Sequence, residues 1–111
     1  MEIKVERNGA VVVVAVTGDV DAATAPRLRE QFDDLLGEGQ HKFVIELSEV
    51  GFMDSSGLAT LVQLFKRVRI GHGDVRLSGT QPEVQRIFEL TRLHRVFDIF
   101  PDRAGAVASF D

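Results

Sequence analysis

The sequence predicts an α/β fold: a single domain over residues 1–111, with a mixed sheet of four to five strands, an N-terminal β-hairpin and about four helices. Short runs suited to strands recur at Ala10–Val16, Phe43–Leu47 and Asp74–Ser78. Between them, apolar residues repeat at offsets of three and four, the period of a helix with one buried face. At the start, Ile3 and Val5 alternate with Glu2, Lys4 and Glu6, and Asn8-Gly9 follows. Strands alternating with helices build a parallel core, and the hairpin adds one antiparallel pair.

Taken in order, the first strand has one wet face, and Asn8-Gly9 supplies the two positive-φ positions of a tight type I′ turn. Ala10–Val16 is almost continuously apolar and reads as a central strand covered on both sides. Gly18-Asp19-Val20-Asp21 leaves that strand. Asp21 or Thr24 caps the next helix, with Pro26 near its first turn. Leu28, Phe32, Leu35 and Leu36 form its buried stripe, and Gly37 and Gly39 end it. The strand Phe43–Leu47 is followed by a helix running to about Ile70, with Leu58, Leu61, Val62, Phe65 and Val68 on its apolar face. Gly71-His72-Gly73 breaks it before the strand Asp74–Ser78. Gln81-Pro82-Glu83 opens a third helix, with Val84, Ile87 and Phe88 inward. Arg95–Phe100 alternates as an edge strand, and Ala104, Val107 and Ala108 sit at helical spacing.

A chain of 111 residues can bury roughly two thirds of its unfolded surface, enough for a core without staples. It contains no cysteine, so disulfides, thiolate metal sites and thiol nucleophiles are excluded. Net charge is −4. That opposes binding to the nucleic-acid backbone and docking on anionic lipid, both of which need a basic face. No apolar run is long enough to cross a membrane, and the first residues lack an apolar leader segment, which fits the cytoplasm.

The densest signal is Phe52-Met53-Asp54-Ser55-Ser56-Gly57-Leu58, where a strand hands over to a helix. Asp54 suits an N-cap, since its carboxylate can accept from backbone N–H groups two or three residues on. Ser55 and Ser56 then fall in the first turn with their hydroxyls toward solvent, beside the positive end of the helix dipole. Free N–H groups there would accept a phosphate. Gly57 inside a first turn costs about 1 kcal/mol relative to alanine, so either something approaches it closely or backbone packing demands it.

Several chemistries can be weighed against an ordinary helix cap. Serine hydrolysis lacks its G-x-S-x-G elbow, and His41, His72 and His94 read as exposed loop or element-end residues. A receiver-like domain would accept phosphate on Asp54, beside Asp19 and Asp21, with Ser78 or Thr80 after a later strand. Against it stand the opening hairpin and the lack of a lysine after the last strand, which only Arg95 and Arg103 flank. Gly71-His72-Gly73-Asp74 precedes a strand, whereas a phosphate loop precedes a helix. No metal-ligand spacing is found. Lys66, Arg67 and Arg69 read as a solvated helix face, as do Arg27, Arg29, Arg86 and Arg92.

Gly18-Asp19-Val20-Asp21, Thr24-Ala25, Phe43–Leu47 and Phe52–Leu58, with Gln81-Pro82-Glu83-Val84 and Phe88-Glu89-Leu90 in the third helix, resemble the STAS domain of bacterial anti-sigma factor antagonists. The resemblance covers essentially the whole chain. It implies a regulator and not an enzyme, with no cofactor and no catalytic residue. It implies two partners: an anti-sigma factor that is also a serine kinase, and a metal-dependent serine phosphatase. The phosphorylated residue maps onto Ser55. Asp19, Asp21, Thr24, Met53, Asp54, Ser55, Ser56 and Gly57 are the expected partner-binding residues, with Ser56 and Gly57 keeping the surface low for close approach. STAS domains also serve as scaffold subunits of stress-signalling and lipid-transport complexes, a role without phosphorylation.

Overall fold

The computed structural model describes all 111 residues. Its elements are β1 (Glu2–Asn8), β2 (Val11–Thr17), α1 (Ala25–Gly37), β3 (Lys42–Glu49), α2 (Ser55–Ile70), β4 (Asp74–Ser78), α3 (Pro82–Leu90), a 3₁₀ turn (Leu93–Arg95), β5 (Asp98–Phe100) and α4 (Arg103–Ala108). The five strands form one sheet in the order β1-β2-β3-β4-β5, antiparallel at β1–β2 and parallel elsewhere.

Each new parallel strand is added on the same side of the last. Crossovers of one hand moving in one direction place all their helices on one face. The buried residues agree. Val12, Val14 and Val16 of β2, with Phe43, Ile45 and Leu47 of β3, join one core with Leu28, Phe32 and Leu35 of α1, Leu61 and Leu64 of α2, and Val84 and Phe88 of α3. The alternate residues Val11, Val13 and Val44 face the other way and meet Ala106 of α4. β2 is thus covered on both sides, as its continuous apolar run requires.

Three details differ from the sequence expectation. Asn8 pairs with Val11, so the hairpin loop is Gly9-Ala10 and not Asn8-Gly9. Gly9 alone takes positive φ, +62°, the pattern of a type II′ turn with glycine in the first central position. The edge strand is confined to Asp98–Phe100. Arg92, at φ +62°, ends α3, and the 3₁₀ turn that follows delivers Phe97 into the core, edge-on to Phe65 and Phe88. In α4 the buried residue is Ala106, while Ala104 and Ala108 are exposed.

This winding has no switch point, the place where strand order reverses and open α/β sheets form a ligand crevice. The carboxyl end of the sheet instead presents a surface made by the β2–α1 and β3–α2 loops.

Candidate functional site: the carboxyl-end surface

The two loops are bound to each other before either helix begins. Gly18 N–H donates to Glu49 O (2.9 Å), Val20 N–H to Phe52 O (3.0 Å) and Asp54 N–H to Val20 O (3.2 Å). Val20 and Met53 thereby form a parallel bridge beyond the regular sheet, after a register shift between Ala15 and Thr17. Both side chains are buried, so the bridge has its own apolar floor.

Asp54 caps α2, as its position suggests. Its Oδ1 accepts from Ser56 N–H (2.8 Å) and Gly57 N–H (3.1 Å). Its Oδ2 accepts from Ala22 N–H (3.1 Å), in the other loop. One carboxylate therefore closes the helix start and ties it to a segment 32 residues away in sequence. The first intrahelical bond, Leu58 N–H to Asp54 O, completes the turn.

Gly57 is buried against the same bridge. A Cβ there would fall 2.7 Å from Met53 Cγ, 2.8 Å from Val20 O and 2.9 Å from Val20 Cγ1. Glycine is thus demanded by internal packing, and the expectation that Gly57 opens room for a partner is corrected. Met53 is also removed from the contact surface: it is 1% exposed and serves as the floor of the loop. A surface group within the motif that sequence reasoning passed over is Phe52, 48% exposed. Its neighbours in the motif gave no sign of it, because alternation breaks where the strand ends.

In the β2–α1 loop, Asp21 Oδ1 accepts from Ala23 N–H (2.9 Å) and Thr24 N–H (3.1 Å). Thr24 Oγ1 accepts from Asp21 N–H (2.9 Å) and donates to Asp19 O (2.8 Å). Thr24 occupies the N-cap position of α1 without a side-chain cap bond. Asp21 and Thr24 therefore staple the loop, while the Asp19 side chain is exposed.

Ser55 stands apart from these neighbours. It is exposed, it is the first residue of α2, and its hydroxyl makes no hydrogen bond within the protein. Ser56 is half-buried behind it, its carbonyl accepting from Thr60 Oγ1 (2.9 Å). The expected bed of free N–H groups is smaller than the sequence suggested, because Asp54 already holds those of Ser56 and Gly57. Asp19, Asp21 and Asp54 do not converge into a cluster able to hold a metal ion. With both oxygens of Asp54 engaged and no switch point in the sheet, the receiver-like reading is corrected.

Known proteins share this architecture. The STAS domain profile matches residues 2–106. An anti-sigma-B factor antagonist of Bacillus subtilis (strain 168) is 31% identical, over 96% of this chain and 97% of that protein. An anti-sigma-B factor antagonist of Listeria monocytogenes serovar 1/2a is 34% identical, over 89% of this chain and 86% of that protein. The crystal structure of an anti-sigma factor antagonist from Mycobacterium paratuberculosis superposes with a TM-score of 0.90 at 28% identity, covering 97% of this chain and 92% of that one. A profile match over nearly the full length and relatives at this identity lead to one conclusion: the chain belongs to the STAS domain family.

Proposed function

We propose that this domain is an anti-sigma factor antagonist whose binding is switched off by phosphorylation of Ser55. Unmodified, it docks through the carboxyl-end surface on an anti-sigma factor that is also a serine kinase, and so releases a sigma factor in the cytoplasm. A metal-dependent serine phosphatase restores the unmodified form. The single observation that carries this reading is the exposed, unbonded hydroxyl of Ser55, in a motif whose other polar groups are largely engaged. The relatives' names supply the partner class.

The chain's own residues account for the switch. Phe52 offers an apolar anchor beside Ser55, and Asp19 and the outer face of α2 extend the contact. A phosphate on Ser55 adds about two negative charges. It lies next to the Asp54 carboxylate, which already holds the Ser56 and Gly57 N–H groups, so little remains beyond the Ser55 N–H and water to compensate it. The modified surface is then costly to desolvate against a partner, while the fold beneath it is undisturbed.

The test is incubation with the cognate kinase and ATP, read by intact mass. One phosphate on the wild type and none on Ser55→Ala is expected. Ser55→Asp should lose about tenfold or more in affinity for the kinase, a change of about 1.4 kcal/mol, with its melting temperature nearly unchanged. A chain that binds its partner but is never modified is instead a scaffold subunit, and equal binding by both variants would defeat the switch.

A further inference from the structure

We propose that the cleft at the amino ends of β3 and β4, at the opposite end of the sheet from Ser55, is a binding site for a small phosphate-bearing anion. Lys42 opens β3 and Asp74 opens β4, and the two are register partners. Arg69 comes from the last turn of α2, His72 from the turn that follows, and Arg76 from β4. With Phe110 they line a cleft of about 370 Å³. It gathers two guanidinium groups, an ammonium and an imidazole around a single carboxylate, on a chain whose net charge is −4.

That carboxylate does not satisfy its cations. Asp74 lies 3.8 Å from Arg69 Nη1 and 3.5 Å from Arg76 Nη2, both beyond a good charge-assisted hydrogen bond. Its short bond, 2.8 Å, is to Val75 N–H. Lys42 has no ion-pair partner.

Arg76 distinguishes the cleft from an ordinary solvated basic patch. Its side chain is only 18% exposed. Nη1 donates to Ser109 Oγ (2.6 Å), and the guanidinium carbon sits 4.0 Å over the Phe110 ring. Its Nε is buried without a hydrogen-bond partner. A buried charged donor left unpaired is costly and calls for an acceptor. A guanidinium already oriented by a hydroxyl and a ring loses little freedom on binding, and its planar fork suits phosphate oxygens.

The site is independent of the Ser55 reading. Its test is titration of the ¹⁵N-labelled chain with pyrophosphate at constant ionic strength. Saturating shifts are expected for the amides of residues 41–43, 71–76 and 109–110, without comparable shifts at 54–57. Lys42→Gln combined with Arg69→Gln should weaken binding about tenfold. Arg67→Gln removes one positive charge from the same helix, where Arg67 pairs with Asp33 outside the cleft, and should leave binding unchanged. Three results would overturn the proposal: no saturating shifts in the cleft up to about 10 mM, where affinity is too weak to matter; undiminished shifts in a folded Lys42→Gln/Arg69→Gln chain; or equal weakening by Arg67→Gln and Arg69→Gln.

Discussion

Helices α2 and α3 start at the same end of the sheet, each one loop after a parallel strand, yet their starts are built differently. At α2, the Asp54 carboxylate takes three backbone N–H groups, two from the first turn of the helix and one from the β2–α1 loop, and Gly57 lets that turn sit against Val20 and Met53. At α3, Gln81 makes no cap bond to the helix; Pro82 presets the first turn, and Glu83 faces the dipole. The Gln81 side-chain amide donates instead to Ser48 O in β3 (2.9 Å). The difference teaches where rigidity is concentrated. At α2 one carboxylate both caps the helix and ties it to a distant loop. At α3 the distant tie, from Gln81 to Ser48, does not cap the helix, whose first N–H groups are left to local preferences.

Substitutions should expose that contrast in a graded way. Gly57→Ala should cost the most, about 2–3 kcal/mol, because the added methyl meets backbone and buried side chains that cannot withdraw. Chemical denaturation would read it, and a near-normal midpoint would mean that the two loops are looser than described. Asp54→Ala comes next, at about 2 kcal/mol, since it strips the cap and the tie to Ala22 together. Adding Ala22→Pro, which removes the donor of that tie, should then cost less than it does in the wild type. Glu83→Gln at the other helix should cost about 0.5 kcal/mol and fade in high salt. Smallest of all is Ser55→Ala, within about 0.5 kcal/mol by thermal melting, because its hydroxyl holds nothing in the fold. A loss of 2 kcal/mol or so there would give the serine a structural role and break the contrast.

The legible parts of this fold are those whose physics is local. Asp54 reads as a cap because its bonds reach only two and three residues ahead. The β2 run Val11–Val14 announces burial on both faces through its composition. The stripe of α2 gives Leu58, Leu61 and Val68 correctly, with Val62 and Phe65 half-buried, but misses Leu64, which is also buried. What stayed hidden depends on distant segments. Nothing near Ala22 indicates that its N–H closes on Asp54. The need for glycine at 57 was visible, but its cause, the crossing of Val20 beneath it, was not. The hairpin slipped by one residue because Asn8-Gly9 and Gly9-Ala10 both make acceptable two-residue turns, and pairing of Asn8 with Val11 decides between them. The cleft around Arg76 assembles β3, β4, the α2 end and Phe110, which no single stretch reveals.

The one-directional winding leaves a final consequence on the sheet face away from α1, α2 and α3. That face relies on α4, six residues long, to shield Val11, Val13 and Val44. A helix so short has no stability of its own in water and persists only while docked. The domain therefore carries a hinged shutter on one side and a fixed wall on the other. Deuterium uptake should find the amides of residues 106–109 exchanging by local opening, well ahead of those in the middle of β3, so that the molecule loosens from one side long before it unfolds.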